Sequence, residues 1–182
     1  DLVVLKISSG IRRSPFGIEL FGESSQGKTT FGDQMLDALL TSAALPIDKE
    51  YRAALNPGDK FFSNWTTDKL VAILDDMGNE KSQFVEKPPT RAIIDICNNQ
   101  MYYAPKAELE AKGKCFVEPE IVLVTTNVKD LDARAYSNCP YSVQRRMDLV
   151  MTVKCKKKFQ RIVDGTPCGV DANKIREHYT ND

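Results

Sequence analysis

The octapeptide Gly22-Glu23-Ser24-Ser25-Gln26-Gly27-Lys28-Thr29 constrains the fold of this chain more than any other feature. Glycine, four free positions, glycine, lysine and threonine make a loop whose backbone N–H groups curl inward around phosphate oxygens at the positive end of a helix. The flanks agree with that use. Phe16-Gly17-Ile18-Glu19-Leu20-Phe21 reads as a short strand after Pro15 and runs straight into the loop. From Lys28 to about Ser42, Phe31, Met35, Leu36, Leu39 and Leu40 recur at helical spacing and predict one buried stripe. Residues Gly22 to Thr29, with Thr30 after them, are therefore assigned to binding a nucleoside triphosphate. Lys28 would reach the β- and γ-phosphates and the Thr29 hydroxyl would ligate Mg²⁺.

The rest of the chain alternates in the same way. Leu70-Val71-Ala72-Ile73-Leu74 and Ile121-Val122-Leu123-Val124-Thr125 are continuously apolar, as strands covered on both faces are. Lys60 to Ser63 is a candidate short strand, and Leu149 to Val153 a last one. Helices are expected over Thr90 to Gln100 after Pro88-Pro89, over Pro105 to about Ala111, and in a segment leading to Arg145-Arg146. Strand, crossover and strand repeated this way predict an α/β sandwich with a mainly parallel sheet. The expected divisions are a lead-in over 1–15, a nucleotide-hydrolysing domain over 16–153 and a polar extension over 154–182 that could be a partial subdomain.

Hydrolysis requires more than a phosphate loop, and two further strand ends supply it. Asp75-Asp76 follows the strand over 70–74, where ligands of parallel sheets bind. Asp75 is assigned to the Mg²⁺ shell and Asp76 to polarising the attacking water, with the roles interchangeable on sequence grounds. Thr125-Thr126-Asn127 ends the next buried strand, and the Asn127 amide suits contact with the γ-phosphate while orienting water. Arg145 and Arg146 carry the planar donors that neutralise developing phosphate charge, but local reasoning does not bring them to the site.

Composition limits the alternatives. Lys plus Arg (25) equals Asp plus Glu (25) in 182 residues, so any polyanion site has to be local. Lys106, Lys112 and Lys114 around Gly113 form one candidate RNA contact, and Lys154, Lys156, Lys157, Lys158 and Arg161 a weaker one. Tyr102 and Tyr103 could stack on bases, although packing explains them more simply. The five cysteines contain no CxxC pair, which disfavours a disulfide framework. Cys155, Cys168 and His178, the only histidine, fit no recognised zinc spacing. The start at Asp1 within an apolar run, Leu2 to Leu5, suggests a piece of a longer protein whose flanks could hold a membrane anchor.

The ordered set of Gly-x4-Gly-Lys-Thr, Leu74-Asp-Asp-Met, Lys112-Gly-Lys, Thr125-Thr-Asn and Val143-Gln-Arg-Arg-Met-Asp resembles the superfamily 3 helicases of positive-strand RNA viruses. Within them it looks most like the 2C-type replication ATPase of picornaviruses and picorna-like viruses, over about Phe16 to Val153. The resemblance implies an AAA+-like fold and a ring, expected to be a hexamer, with ATP and Mg²⁺ bound between subunits. Arg145 and Arg146 would then be arginine fingers acting on a neighbour's nucleotide. It further implies RNA remodelling on single-stranded RNA, viral replication proteins as partners, and host cytoplasm at replication membranes as the setting. A nucleotide-gated membrane or RNA scaffold is the alternative. A P-loop kinase is a more distant one, since no acceptor site is evident and the Thr-Thr-Asn and Arg-Arg elements are not kinase features.

Overall fold

Two strands, Phe16–Phe21 (β1), buried from Gly17 to Leu20, and Ile121–Thr126 (β4), buried throughout, lie side by side in parallel within the sheet. They belong to a five-stranded sheet in the computed structural model, which describes residues 10–79, 88–108 and 113–180. Val71–Leu74 (β3) pairs with β4, Arg52–Ala54 (β2) with β3, and Leu149–Thr152 (β5) with β1. All four pairings are parallel and the order is β2-β3-β4-β1-β5. The α/β, mainly parallel architecture expected from the apolar runs is the one observed.

Each face of the sheet is covered by its own apolar cluster. Lys28–Ser42 (α1) lays Leu36 and Leu40 on Ile18, Leu20, Val71 and Leu123. These residues are buried completely or nearly so, which stabilises the fold by about 2 kcal/mol for each large side chain. On the opposite face Pro89–Ile96 (α2), Ala133–Tyr136 (α3) and Tyr141–Gln144 (α4) close over Ala72, Leu74, Val122 and Val124, with Trp65 fully buried among them. After β5 come an antiparallel hairpin, Gln160–Val163 (β6) and Thr166–Val170 (β7), and the helix Ala172–Thr180 (α5). The polar extension beyond residue 153 is thus a small folded unit.

Several expectations need correction. Lys60–Ser63 is not a strand. Phe62 is buried and its N–H donates to Pro105 O at 2.8 Å, so this apolar pair anchors a loop. The outer strand is instead β2, three residues with no apolar alternation to mark them. The helix expected to reach Gln100 ends at Ile96, because the Asn98 side chain bonds the Asn99 N–H and offers the backbone a turn in place of another helical bond. Pro105 to Glu108 is loop and bend, while residues 109–112, including Lys112, lie outside the described residues, as do Leu2 to Leu5. The last helical segment before Arg145 is one turn long, α4.

Candidate active site

Three strand ends and one helix start converge at the carboxyl edge of the sheet. Gly22 leaves β1 with its N–H donating to Thr126 O at 3.1 Å, so the phosphate loop is tied to the end of β4. Gly27, which begins α1, sits at φ +87°, a left-handed conformation that admits glycine without strain. It turns the chain sharply enough to aim the first N–H groups of α1 back over the loop. Lys28 follows, buried along its stem. Its ammonium donates to Gly22 O at 2.9 Å and Glu23 O at 3.0 Å, and to Asn127 Oδ1.

Asn127 then passes the connection onward, its Nδ2 donating to Asp76 Oδ1 at 2.9 Å. Lys28, Asn127 and Asp76, distant in sequence, form one hydrogen-bonded chain across β1, β4 and β3. Thr125 fixes the acidic end of it. Its hydroxyl donates to Asp75 Oδ1 and accepts the Asp76 N–H at 3.0 Å. Thr126 does the same one residue on, donating to Met77 O at 2.7 Å and accepting the Val128 N–H at 3.0 Å. Both threonine side chains are buried, so these bonds are shielded from water. Asp76 has φ +53°. The two acids have different partners, Thr125 and Asn127.

The site's residue types fit a magnesium–triphosphate. Glycine N–H groups, a buried lysine, the Thr29 hydroxyl and two exposed carboxylates stand at the same edge. Asp75, Asp76 and Thr29 offer hard oxygens of the kind that Mg²⁺ takes. Among the described residues no three His, Cys, Asp or Glu side chains converge on a metal site. Cys155, Cys168 and His178 are each engaged elsewhere, with Lys156 O, Arg161 and Lys158.

Arg145 and Arg146 stand at the other end of the sheet. The Asp148 carboxylate accepts the Gly17 N–H at 2.8 Å, and a Cβ on Gly17 would come within 2.0 Å of Arg146 O. Gly17 therefore lets the arginine turn press against the start of β1. Five residues of strand separate that point from Gly22, about 17 Å at 3.3 Å per residue. Arg145 is exposed, while Arg146 is half-buried with Nη1 donating to Ser142 O. Burial, and then the like charge of Arg145, pull the Arg146 pKa below the usual guanidinium value. The two lie beside Asn98, Asn99 and Asp148 around a cavity of about 300 Å³.

The RNA-contact expectations fare unevenly. The Lys106 ammonium donates within the chain, to Phe62 O at 2.8 Å, Ser63 O at 3.2 Å and Trp65 O at 2.5 Å. Lys114 is exposed next to Gly113. Tyr102 packs on the core, and Tyr103 on Phe116 with ring centroids 4.9 Å apart.

Sequence reasoning missed two features, one that contacts the phosphate loop and one buried within the sheet. The first is the C-terminal unit, whose Val170 N–H donates to Ser25 O at 2.8 Å and whose Cys155 N–H donates to Gln26 Oε1 at 2.8 Å. No local signal in residues 154–182 announces that role. The second is Glu19, buried in the middle of β1, whose carboxyl is pushed up to about 7 by burial and then by Asp130. A lone acid inside an apolar strand was the available clue.

Residues 18–128 match the family model described as RNA helicase. The chain is 29% identical over 126 residues to the RNA1 polyprotein of Arabis mosaic virus, covering 68% of this chain and 5% of that protein. It is 27% identical over 157 residues to the replicase polyprotein of Acute bee paralysis virus, covering 83% and 8%. With the genome polyprotein of Human parechovirus 5 it shares 25% over 154 residues, covering 83% and 6%. The chain thus spans less than a tenth of each of these relatives. Among solved structures it resembles the S. cerevisiae Hsp104-ADP complex, with a TM-score of 0.51 at 12% identity over 84% of this chain and 26% of that one. That likeness bears on the fold, and it agrees with the AAA+-like sandwich.

Proposed function

This chain belongs to the RNA helicase family, and we propose that it hydrolyses ATP with Mg²⁺ to remodel or unwind RNA during viral genome replication. The observation that carries the proposal is the hydrogen-bonded chain from Lys28 through Asn127 to Asp76 at the end of the phosphate loop. Lys28 neutralises the β- and γ-phosphates. Asn127, already bonded to both Lys28 and Asp76, stands between the phosphate group and the acid and orients the attacking water. Asp76 accepts the water's proton. Asp75, held by Thr125, and the Thr29 hydroxyl would hold Mg²⁺, which would supply charge neutralisation for the phosphate.

The arginine pair completes this reading only if two copies meet. About 17 Å of strand between Arg146 and the phosphate loop is farther than one side chain reaches. Arg145 and Arg146 therefore serve a neighbouring copy's nucleotide, in a ring that we take to be a hexamer. Lys114 and Lys112 contribute positive charge to binding the phosphates of single-stranded RNA. By analogy with the polyprotein relatives, the setting is the host cytoplasm at replication membranes, with other virus-encoded replication proteins as partners.

Phosphate release from ATP tests the proposal directly. The account expects release without any acceptor substrate, stimulated by single-stranded RNA, rising more steeply than linearly with protein concentration and abolished by Lys28→Ala. Release that requires an acceptor would support a kinase. Oligomerisation with nucleotide but negligible turnover would support a scaffold.

A further inference from the structure

The C-terminal unit touches the phosphate loop on the side away from Asp75, Asp76 and Asn127. β4 and β3 flank β1 on one side, and the Lys28 ammonium points toward them. β5 flanks β1 on the other, and the chain leaving β5 folds over the outside of the loop. Two hydrogen bonds fix it there, Val170 N–H to Ser25 O and Cys155 N–H to Gln26 Oε1. The approach is close: at Gly169, φ +80°, a Cβ would lie 2.4 Å from Ser25 Cβ.

Between this unit and the first turns of α1 lies a groove of about 670 Å³, within the size range of small-molecule sites. It opens at Gly27 and Thr30. Phe31, from the first turn of α1, and Tyr179, from α5, line it although they are 41% and 68% exposed. Phe159 lines it as well, its ring stacked with that of Tyr179 at a centroid distance of 6.5 Å and an interplanar angle of 28°. Exposed aromatic faces beside a phosphate loop have an obvious chemical counterpart in a nucleobase.

Resting on the phosphate-loop reading above, we propose that the base and ribose of the bound nucleoside triphosphate occupy this groove, against Phe31, Phe159 and Tyr179. A triphosphate with its γ-phosphate at Asn127 and Asp76 runs back along the loop, so its nucleoside leaves on the opposite side, where the groove begins. Stacking gives affinity without choosing among bases. Gln34, one turn along α1 on the same wall, is placed to choose by hydrogen bonding to a base edge. The C-terminal unit is then part of the nucleotide site, and its contact with Ser25 and Gln26 links base occupancy to the shape of the phosphate loop.

Calorimetric titration of the full 182-residue chain with Mg–ATP and, separately, with Mg–tripolyphosphate tests this placement. Phe31→Ala and Tyr179→Ala should each weaken ATP about tenfold, the loss of one stacking contact, and leave tripolyphosphate binding unchanged. Tyr179→Phe, which keeps the ring, should retain ATP affinity. Lys28→Ala should weaken both ligands. Unchanged ATP affinity in both alanine variants, with Lys28→Ala still damaging, would overturn the groove and leave the phosphate loop standing. Equal loss of both ligands in the aromatic variants would also overturn it, since the effect would then come through the loop. Insensitivity of both ligands to Lys28→Ala would overturn the parent reading and this one together.

Discussion

In the proposed reaction Asn127 is the residue on which the chemistry turns, because it contacts both the phosphate-loop lysine and an acid. Asn127→Ala should lower kcat by about 10²- to 10³-fold with a smaller change in KM, the pattern of a group that acts chiefly in the transition state. Steady-state ATPase kinetics check this. Glu19 makes a separate prediction about stability. Its carboxyl ionises near 7 in the folded chain against an ordinary value of 4.5, so the folded state holds the proton more tightly. The contribution is fully present below about 4.5, declines as pH rises, and is gone above about 7. Urea unfolding at pH 5 and pH 8 should show the wild type losing about 2–3 kcal/mol more than Glu19→Gln over that interval. Parallel losses in the two proteins would show that Glu19 ionises normally.

At the scale of elements, two clamps hold the framework. The Arg12 guanidinium donates to Asp95 O at 2.6 Å, Ile96 O at 2.8 Å and Gln100 O at 2.7 Å, and to Val117 O. It closes the end of α2 in place of another helical turn. Arg12→Met, which leaves those carbonyls without their donor, should cost on the order of 3 kcal/mol, read as a shift in the urea midpoint. Gly169→Ala should displace the hairpin from Ser25 and weaken ATP binding without unfolding the sheet, which near-unchanged far-ultraviolet circular dichroism would verify. What the sequence disclosed at this scale follows from interaction range. β1, β3, β4 and α1 were legible because burial on both faces, or on one stripe, writes itself as an apolar pattern. β2 is three residues, Arg52 to Ala54, and owes its place to pairing with β3. Lys60 to Ser63 carried strand-like residues whose burial serves a loop. Lys106 looked available for phosphate, yet its partners are carbonyls some forty residues earlier in the chain. The docking of the C-terminal unit on the phosphate loop uses two backbone N–H groups, those of Cys155 and Val170, and backbone donors leave no trace in residue identity.

For the whole molecule, the separation between the Lys28–Asn127–Asp76 chain and the arginine turn is the decisive fact. Asp148 and Gly17 bind that turn to the amino end of β1, while the phosphate loop leaves its carboxyl end. On the reading proposed above, a single chain holds two half-sites, and a head-to-tail ring would bring each pair of halves together. Activity per chain should accordingly fall on dilution, with a steep dependence on concentration. The most direct measurement is ATPase activity after mixing two inactive proteins, Asp76→Asn and the double variant Arg145→Ala, Arg146→Ala. Random assembly at equal amounts leaves about a quarter of the interfaces with an intact acid from one chain and intact arginines from the other. The account predicts that the mixture regains activity of that order. Activity that stays at the level of the separate variants, in a mixture shown to form joint assemblies, would contradict it.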